Sequence, residues 1–413
     1  MSKAAPNRLG RWLRRHSLTL VAALGGAAGV AYAAGWHGKD AATTSSTTTA
    51  IATTAATTPA ELPRDNVQDT VQIALVLDTS GSMDGLINQA RSHLWNMVDQ
   101  MGRMTRVVNG KTRGVKIELA LYEYGNDTLS KESGFIRQVL PLTSDLDNVS
   151  EKLHALFTNG GSEYVGQAIT TAVTSLQWSS DPDAMKFVFV AGNEEFNQGP
   201  VTAAKAMEAA ALKDITVQLI YCGPKEPTWS AAASLAKSDL MTIDQNQVAQ
   251  HVPAPQDADI LRLGDELNAT YMAYGAEGEA SVARQKGADM SSAKLSPKVA
   301  IERAQLKSKK SYRNDNWDVV DATDKNKQFL EQTPDDKLPT ELRGKTLAEK
   351  QQIVAAKTAA RAELKAKITK LEAERAGFLD AERKKQSRPE DPSLETELMK
   401  TTKQVAGKKG YKF

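Results

Sequence analysis

Residues 71–77 form an apolar run interrupted only by Gln72, followed by turn residues; from 86 to 101 the apolar positions Leu86, Ile87, Ala90, Leu94, Met97 and Val98 then recur at helical spacing. The same succession repeats down the chain. Strands are predicted at 115–122, 135–140, 186–191, 215–221 and 240–243, and helices at 145–157, 164–177, 201–213, 229–237 and 257–271. Apolar strands that alternate with helices predict an α/β fold with a doubly wound, mostly parallel sheet covered by helices on both faces. The strand at 135–140, reached through the Gly-Asn-Asp loop 125–127, is expected at an antiparallel edge.

Outside this block the pattern changes. Beyond Tyr274 the composition turns to Ala, Lys, Glu and Gln, which predicts a helical or irregular extension over 276–346, where Tyr312 and Trp317 indicate packing, and a long charged helix and tail over 347–413. Leu364, Ile368 and Leu371 make a narrow seam of coiled-coil type through which the tail self-associates; the equal alternative is an amphipathic helix laid back on the main domain. At the other end Lys3, Arg8, Arg11, Arg14 and Arg15 precede 17–36, a stretch without acid or base, so 1–36 is read as a signal peptide or signal anchor. Ala31-Tyr32-Ala33 offers small residues for cleavage after Ala33, and an uncut segment anchored in the membrane is the alternative. Either arrangement exports the rest of the chain to the periplasm or the cell exterior. The Thr/Ala-rich stretch 37–69 is expected to be a disordered linker, with the main domain at 70–275.

Charge sharpens this division. The 413 residues carry 52 basic and 50 acidic side chains, but 71–275 holds 15 basic against 24 acidic, so an acidic block lies between basic flanks. That distribution suits a domain that handles cations and gives no support to nucleic-acid binding. A single cysteine, Cys222, excludes an internal disulfide framework and multi-cysteine metal sites; placed after an apolar strand, it is read as a small buried residue. His93, His154 and His251 are isolated from one another and receive no role.

The sharpest chemical signal is Asp78-Thr79-Ser80-Gly81-Ser82, between the first strand and the first helix. One carboxylate and two hydroxyls at alternate positions of a tight loop aim hard oxygens at one spot, at the carboxyl ends of the strands. Such donors suit Mg²⁺, with Mn²⁺ or Ca²⁺ as alternatives, and leave a coordination position for an outside carboxylate. Capping of the following helix would need one side chain only. No second Asp-Thr/Ser-Gly triplet, Gly-x-Ser-x-Gly elbow or phosphate-binding glycine loop accompanies it. Glu123 and Asp127, past a neighbouring strand end, are read as solvated loop acids, with support of the cation's ligands from behind as the alternative.

The segment 71–271 resembles a von Willebrand factor type A domain, with Asp78, Ser80 and Ser82 similar to the first loop of its metal-ion-dependent adhesion site. The resemblance implies a second oxygen-bearing loop at Asn159-Gly160-Gly161-Ser162-Glu163, where Ser162 takes the family position and Glu163 is an adjacent substitute. It implies a third at Gly192-Asn193-Glu194-Glu195, where Asn193 stands in the place of the family's Asp and Glu194 is the substitute. Ser162 or Glu163, rather than the neutral Asn193, is expected to complete the cation shell. The run 120–127, with Asp244-Gln245-Asn246-Gln247 and Tyr312-Arg313-Asn314, also resembles exported bacterial proteins that carry such a domain ahead of a Lys/Glu-rich helical tail. The implied function is a cation-dependent adhesion or scaffold module of the cell envelope, not an enzyme, which binds a protein partner through an acidic residue. The competing readings are a metal-dependent hydrolase or chelatase-like accessory and a structural protein that oligomerises through its tail.

Overall fold

The computed structural model describes residues 68–246, 251–386 and 393–413. The export segment and most of the linker expected from the sequence lie outside them. Strand β1 (Asp69–Asp78) is followed by helix α1 (Asp84–Gly102), a short hairpin of β2 (Arg106–Val108) and β3 (Lys111–Arg113), and the long strand β4 (Val115–Tyr124). Next come β5 (Ile136–Thr143), α2 (Leu146–Ala155), α3 (Val165–Ser175), β6 (Met185–Gly192), α4 (Ala203–Leu212), β7 (Thr216–Cys222), α5 (Pro227–Leu235) and β8 (Met241–Ile243). The main sheet runs β5-β4-β1-β6-β7-β8, parallel except for β5, which pairs antiparallel at the edge as expected.

Alternation along β1 explains the two layers. Ile73, Leu75 and Leu77 point to one face, where α1 and α2 bring Leu94, Met97, Val98 and Val149. Ala74 and Val76 point to the other, against Ile169 and Val173 of α3 and Trp229 of α5. Being buried on both faces, β1 has no reason to alternate apolar with polar, and it does not.

The chain after β8 continues through α6 (Asp257–Asn268), α7 (Gly278–Leu295), α8 (Pro297–Lys307), α9 (Val319–Lys325), α10 (Phe329–Gln332) and the forty-residue α11 (Leu347–Gln386). The seam Leu364, Ile368 and Leu371 packs on Ile260, Leu263 and Leu267 of α6 and Ile301 of α8. It is therefore occupied within the chain, which corrects the coiled-coil alternative. Arg361 of α11 donates to Asp318 at 2.6 Å and to Asp321 at 3.1 Å, and its guanidinium lies 4.1 Å from the Tyr271 ring. Among the described residues no helix is long and apolar enough to cross a membrane.

The last helix, α12 (Leu394–Lys408), returns to the main sheet. Leu394, Leu398, Met399 and Ala406 join the core beside α1, and Thr401 donates to Gln218 of β7 at 2.8 Å. Glu395 accepts from Gln100 at 2.7 Å and pairs with His93 at 2.7 Å, both on α1. Lys412 then exchanges backbone hydrogen bonds with Thr105. One face of the sheet is thus finished by residues more than 140 positions after β8. A second bolt joins the helical segment to α1 and α2: buried Arg303 pairs with Asp147 at 2.7 Å and Asp289 at 2.8 Å, its guanidinium between the rings of Trp95 and Tyr312.

Candidate metal centre

Asp78 is the last residue of β1, at the centre of the sheet, so its side chain emerges among the loops at the carboxyl ends of the strands. It is 0 % exposed. One carboxylate oxygen, Oδ1, accepts the Ser80 amide at 2.7 Å; Oδ2 has no hydrogen-bond partner. Ser80 Oγ, equally buried, has none either. Two orphaned oxygens side by side in a closed loop are unusual, because an unmet buried acceptor costs about 1–3 kcal/mol.

The loop's shape comes from backbone pairing with its neighbours. Thr79 N donates to Tyr124 O, Asn159 N to Thr79 O, and Gly81 N to Gly160 O, at 2.9, 3.0 and 2.8 Å. The first loop is thereby held to the end of β4 and to the 159–163 loop. Gly161, at φ 154°, is the tight point: a Cβ there would overlap the Gly125 carbonyl oxygen and stand 2.6 Å from Glu163 Oε1.

Of the two residues expected from that loop, Glu163 is brought against Asp78 and Ser80. It is 5 % exposed, its Oε2 accepts from Gln198 Nε2 at 3.2 Å, and its amide donates to Gln198 Oε1 at 3.2 Å. Ser162 is half-buried and no hydrogen bond ties its hydroxyl to the cluster. From the third loop, Asn193 Nδ2 donates to Ser82 Oγ at 3.0 Å, so these two residues occupy each other on the solvent side. Glu194 is exposed at the rim, and its backbone carbonyl accepts from Trp229 Nε1 at 2.6 Å.

Electrostatics favour a positive guest. Burial pushes the Asp78 carboxyl up to about 7; the Ser80 amide and the nearby Ser80 hydroxyl oppose the rise, and the negative charges of Glu163 and Glu194 add to it. Burial, then the charge of Glu194, also raises Glu163. Crowded carboxylates that hold on to protons release them to a cation. Among the described residues no group of three or more His, Cys, Asp or Glu side chains is arranged as a metal cage. The oxygens that fit a hard ion are Asp78 Oδ2 and Ser80 Oγ, with Glu163 beside them and Ser82 within the same loop. Such a mixed set of carboxylate and hydroxyl suits Mg²⁺, which retains several waters.

Residues missed from the sequence support this set. Tyr124 is buried next to Asp78 and donates to Ala191 O at 3.0 Å, and Gln198 orients Glu163. Glu123 corrects an expectation: it is 2 % exposed, ion-paired with Arg137 and hydrogen-bonded by Thr79 Oγ1 at 3.3 Å, so it is no solvated loop acid. Asp127 does lie exposed on its loop. Cys222 is buried and its thiol is pushed up by burial, which leaves it unreactive.

Residues 72–259 match the family model of the von Willebrand factor type A domain. No curated protein matches the chain in sequence. Similar solved structures include proximal thread matrix protein 1 from the mussel byssus, at 12% identity over 43% of this chain and 42% of that one, with a TM-score of 0.32. The same byssus protein with a zinc-occupied MIDAS motif gives 12% identity, 43% and 42% coverage and a TM-score of 0.33. A von Willebrand factor type A structure from Catenulispora acidiphila gives 18% identity, 43% and 39% coverage and a TM-score of 0.32. The chain thus spans about two-fifths of the length of each of these three structures. This chain contains a von Willebrand factor type A domain at residues 72–259, to which a helical C-terminal extension is added.

Proposed function

We propose that this chain is an exported, divalent-cation-dependent protein-binding module of the cell envelope. The single observation that carries the cation is the buried pair of unpartnered oxygens, Asp78 Oδ2 and Ser80 Oγ, at the crevice of the sheet. Asp78, Ser80, Ser82 and Glu163 would hold the ion. When bound, it supplies a Lewis-acidic position that takes a carboxylate from a partner protein, which is the usual business of domains of this family. The surrounding side chains fit binding better than turnover. Glu163 is fixed by Gln198 and Asn193 by Ser82, which holds the loops still around the ion.

Export is supported by the basic cluster ahead of the apolar stretch 17–36 and by the Ala31-Tyr32-Ala33 site. Two experiments test the proposal. Pull-down from a cell-envelope extract, with Mg²⁺ or with chelator, followed by mass spectrometry, should recover a partner only with cation and only with wild type, not with Asp78→Ala. Recovery that ignores both chelator and substitution would overturn it. Fractionation with N-terminal sequencing should place the protein outside the cytoplasm, beginning near Ala34 if cleaved; an intact, soluble cytoplasmic chain would contradict export.

A further inference from the structure

The site lies in an acidic surrounding that bears on what can approach it. Five loops meet at the carboxyl ends of the strands: 78–84, 125–135, 158–164, 192–200 and 223–226. Together they carry eight acidic residues and two basic ones, Lys131 and Lys225. Asp84, Asp127, Glu194 and Glu195 are all exposed. Several other acids of the domain are ion-paired: Asp69 with Arg106, Glu118 with Lys116 and Glu123 with Arg137. Among the described residues no such ion pair holds Asp84, Asp127, Glu194 or Glu195. In the centre of this surrounding are the buried, unpartnered Asp78 Oδ2 and Ser80 Oγ that point to a ligand.

A divalent ion supplies two positive charges, fewer than the acids around it. A partner that offers a bare carboxylate would meet the ion's attraction at contact and the rim's repulsion during approach and docking. At low salt, where the Debye length is about 10 Å or more, that repulsion acts across the whole rim, whose loops are hydrogen-bonded to one another. Lysine or arginine on either side of the partner's carboxylate reverses the sign of the rim term without disturbing the carboxylate. We propose that the partner presents its metal-binding carboxylate within a basic patch, so that the acidic rim, and not the ion alone, selects the partner. This rests on the cation-dependent reading above.

The test uses the full chain and three synthetic peptides of equal length, read by fluorescence anisotropy. One has a central Asp flanked by lysines, the second the same Asp flanked by glutamates, and the third an Asn among the same lysines. With Mg²⁺ at low salt the lysine-flanked Asp peptide should bind at least about tenfold more tightly than either of the others. Its advantage over the glutamate-flanked peptide should shrink as salt is raised, and Glu195→Lys combined with Asp127→Lys should reduce it further. The salt series on wild type keeps the test decisive should that variant fold poorly. Equal binding of the lysine- and glutamate-flanked Asp peptides overturns the inference, as does binding of neither when calorimetry shows Mg²⁺ taken up. Equal binding of the Asp and Asn peptides with Mg²⁺ present also overturns it, since charge alone would then suffice. Absence of any Mg²⁺ uptake is a different failure, that of the cation site itself.

Discussion

Replacing Asp78 by Asn tests whether the site is built for an ion or merely tolerates a buried acid. The Asp78 carboxyl sits at about 7 in the folded chain against 3.8 when exposed. The folded state therefore holds the proton more tightly than the unfolded state. Without cation, the stability associated with this group is fully present below pH 3.8 and is lost as pH rises through about 7. At about pH 8 the ionised, cation-free form is disfavoured by about 4 kcal/mol, from roughly three pH units at about 1.4 kcal/mol each. Asparagine keeps the acceptor that meets the Ser80 amide and removes the charge, but its amide N–H replaces Oδ2 where no partner stands, at a cost of about 1–3 kcal/mol. The net expectation in chelator at about pH 8 is that Asp78→Asn is more stable than wild type by about 2 kcal/mol. Urea denaturation measures this directly. With Mg²⁺ wild type should gain stability and the variant should not, which narrows or inverts the gap. A variant less stable than wild type in chelator, or an equal gain from Mg²⁺ in both, would show that the site is not built around an ion.

Other substitutions separate neighbouring claims. Glu163→Gln should weaken Mg²⁺ binding by about tenfold in calorimetry, whereas Asn193→Ala, which removes only a side chain occupied with Ser82, should change it little; the reverse order would reassign the loops. Arg303→Met leaves Asp147 and Asp289 without their guanidinium in the interior, and should lower stability by about 3–5 kcal/mol in thermal denaturation. Leu398→Ala removes a fully buried side chain from the face of the sheet closed by α12, and should cost about 2–5 kcal/mol. A loss within about half a kcal/mol, that of an ordinary surface change, would show that α12 is not part of the domain core.

Much of the sheet was legible because β1 and its partners are buried on both faces, which leaves near-continuous apolar runs that end where the turn residues begin. Asp78, Ser80 and Ser82 were legible for the same reason, since a strand end fixes where the loop points. Choosing Glu163 over Ser162 was beyond local sequence. The selection depends on the positive φ of Gly161 and on Gln198, 35 residues away. Glu123 looked solvated because its neutralising Arg137 becomes its neighbour only through the antiparallel register of β4 and β5. The β2–β3 hairpin had its signal in Asn109-Gly110, both with positive φ, but strands of three residues carry too few positions to show alternation. The return of α12 to the sheet was hidden in a different way: its apolar face is short, and the groove it fills is made by α1 and β7, far off in sequence.

A divalent cation belongs at Asp78 and Ser80 if the proposed function holds. The most direct test is calorimetric titration of Mg²⁺, and separately Mn²⁺, into wild type and Asp78→Ala at about pH 8, where the carboxyl is mostly ionised. Wild type should show one saturable site of modest affinity and the variant none, with the variant's fold checked by circular dichroism. Matching isotherms for the two proteins, or no uptake by either, would contradict it.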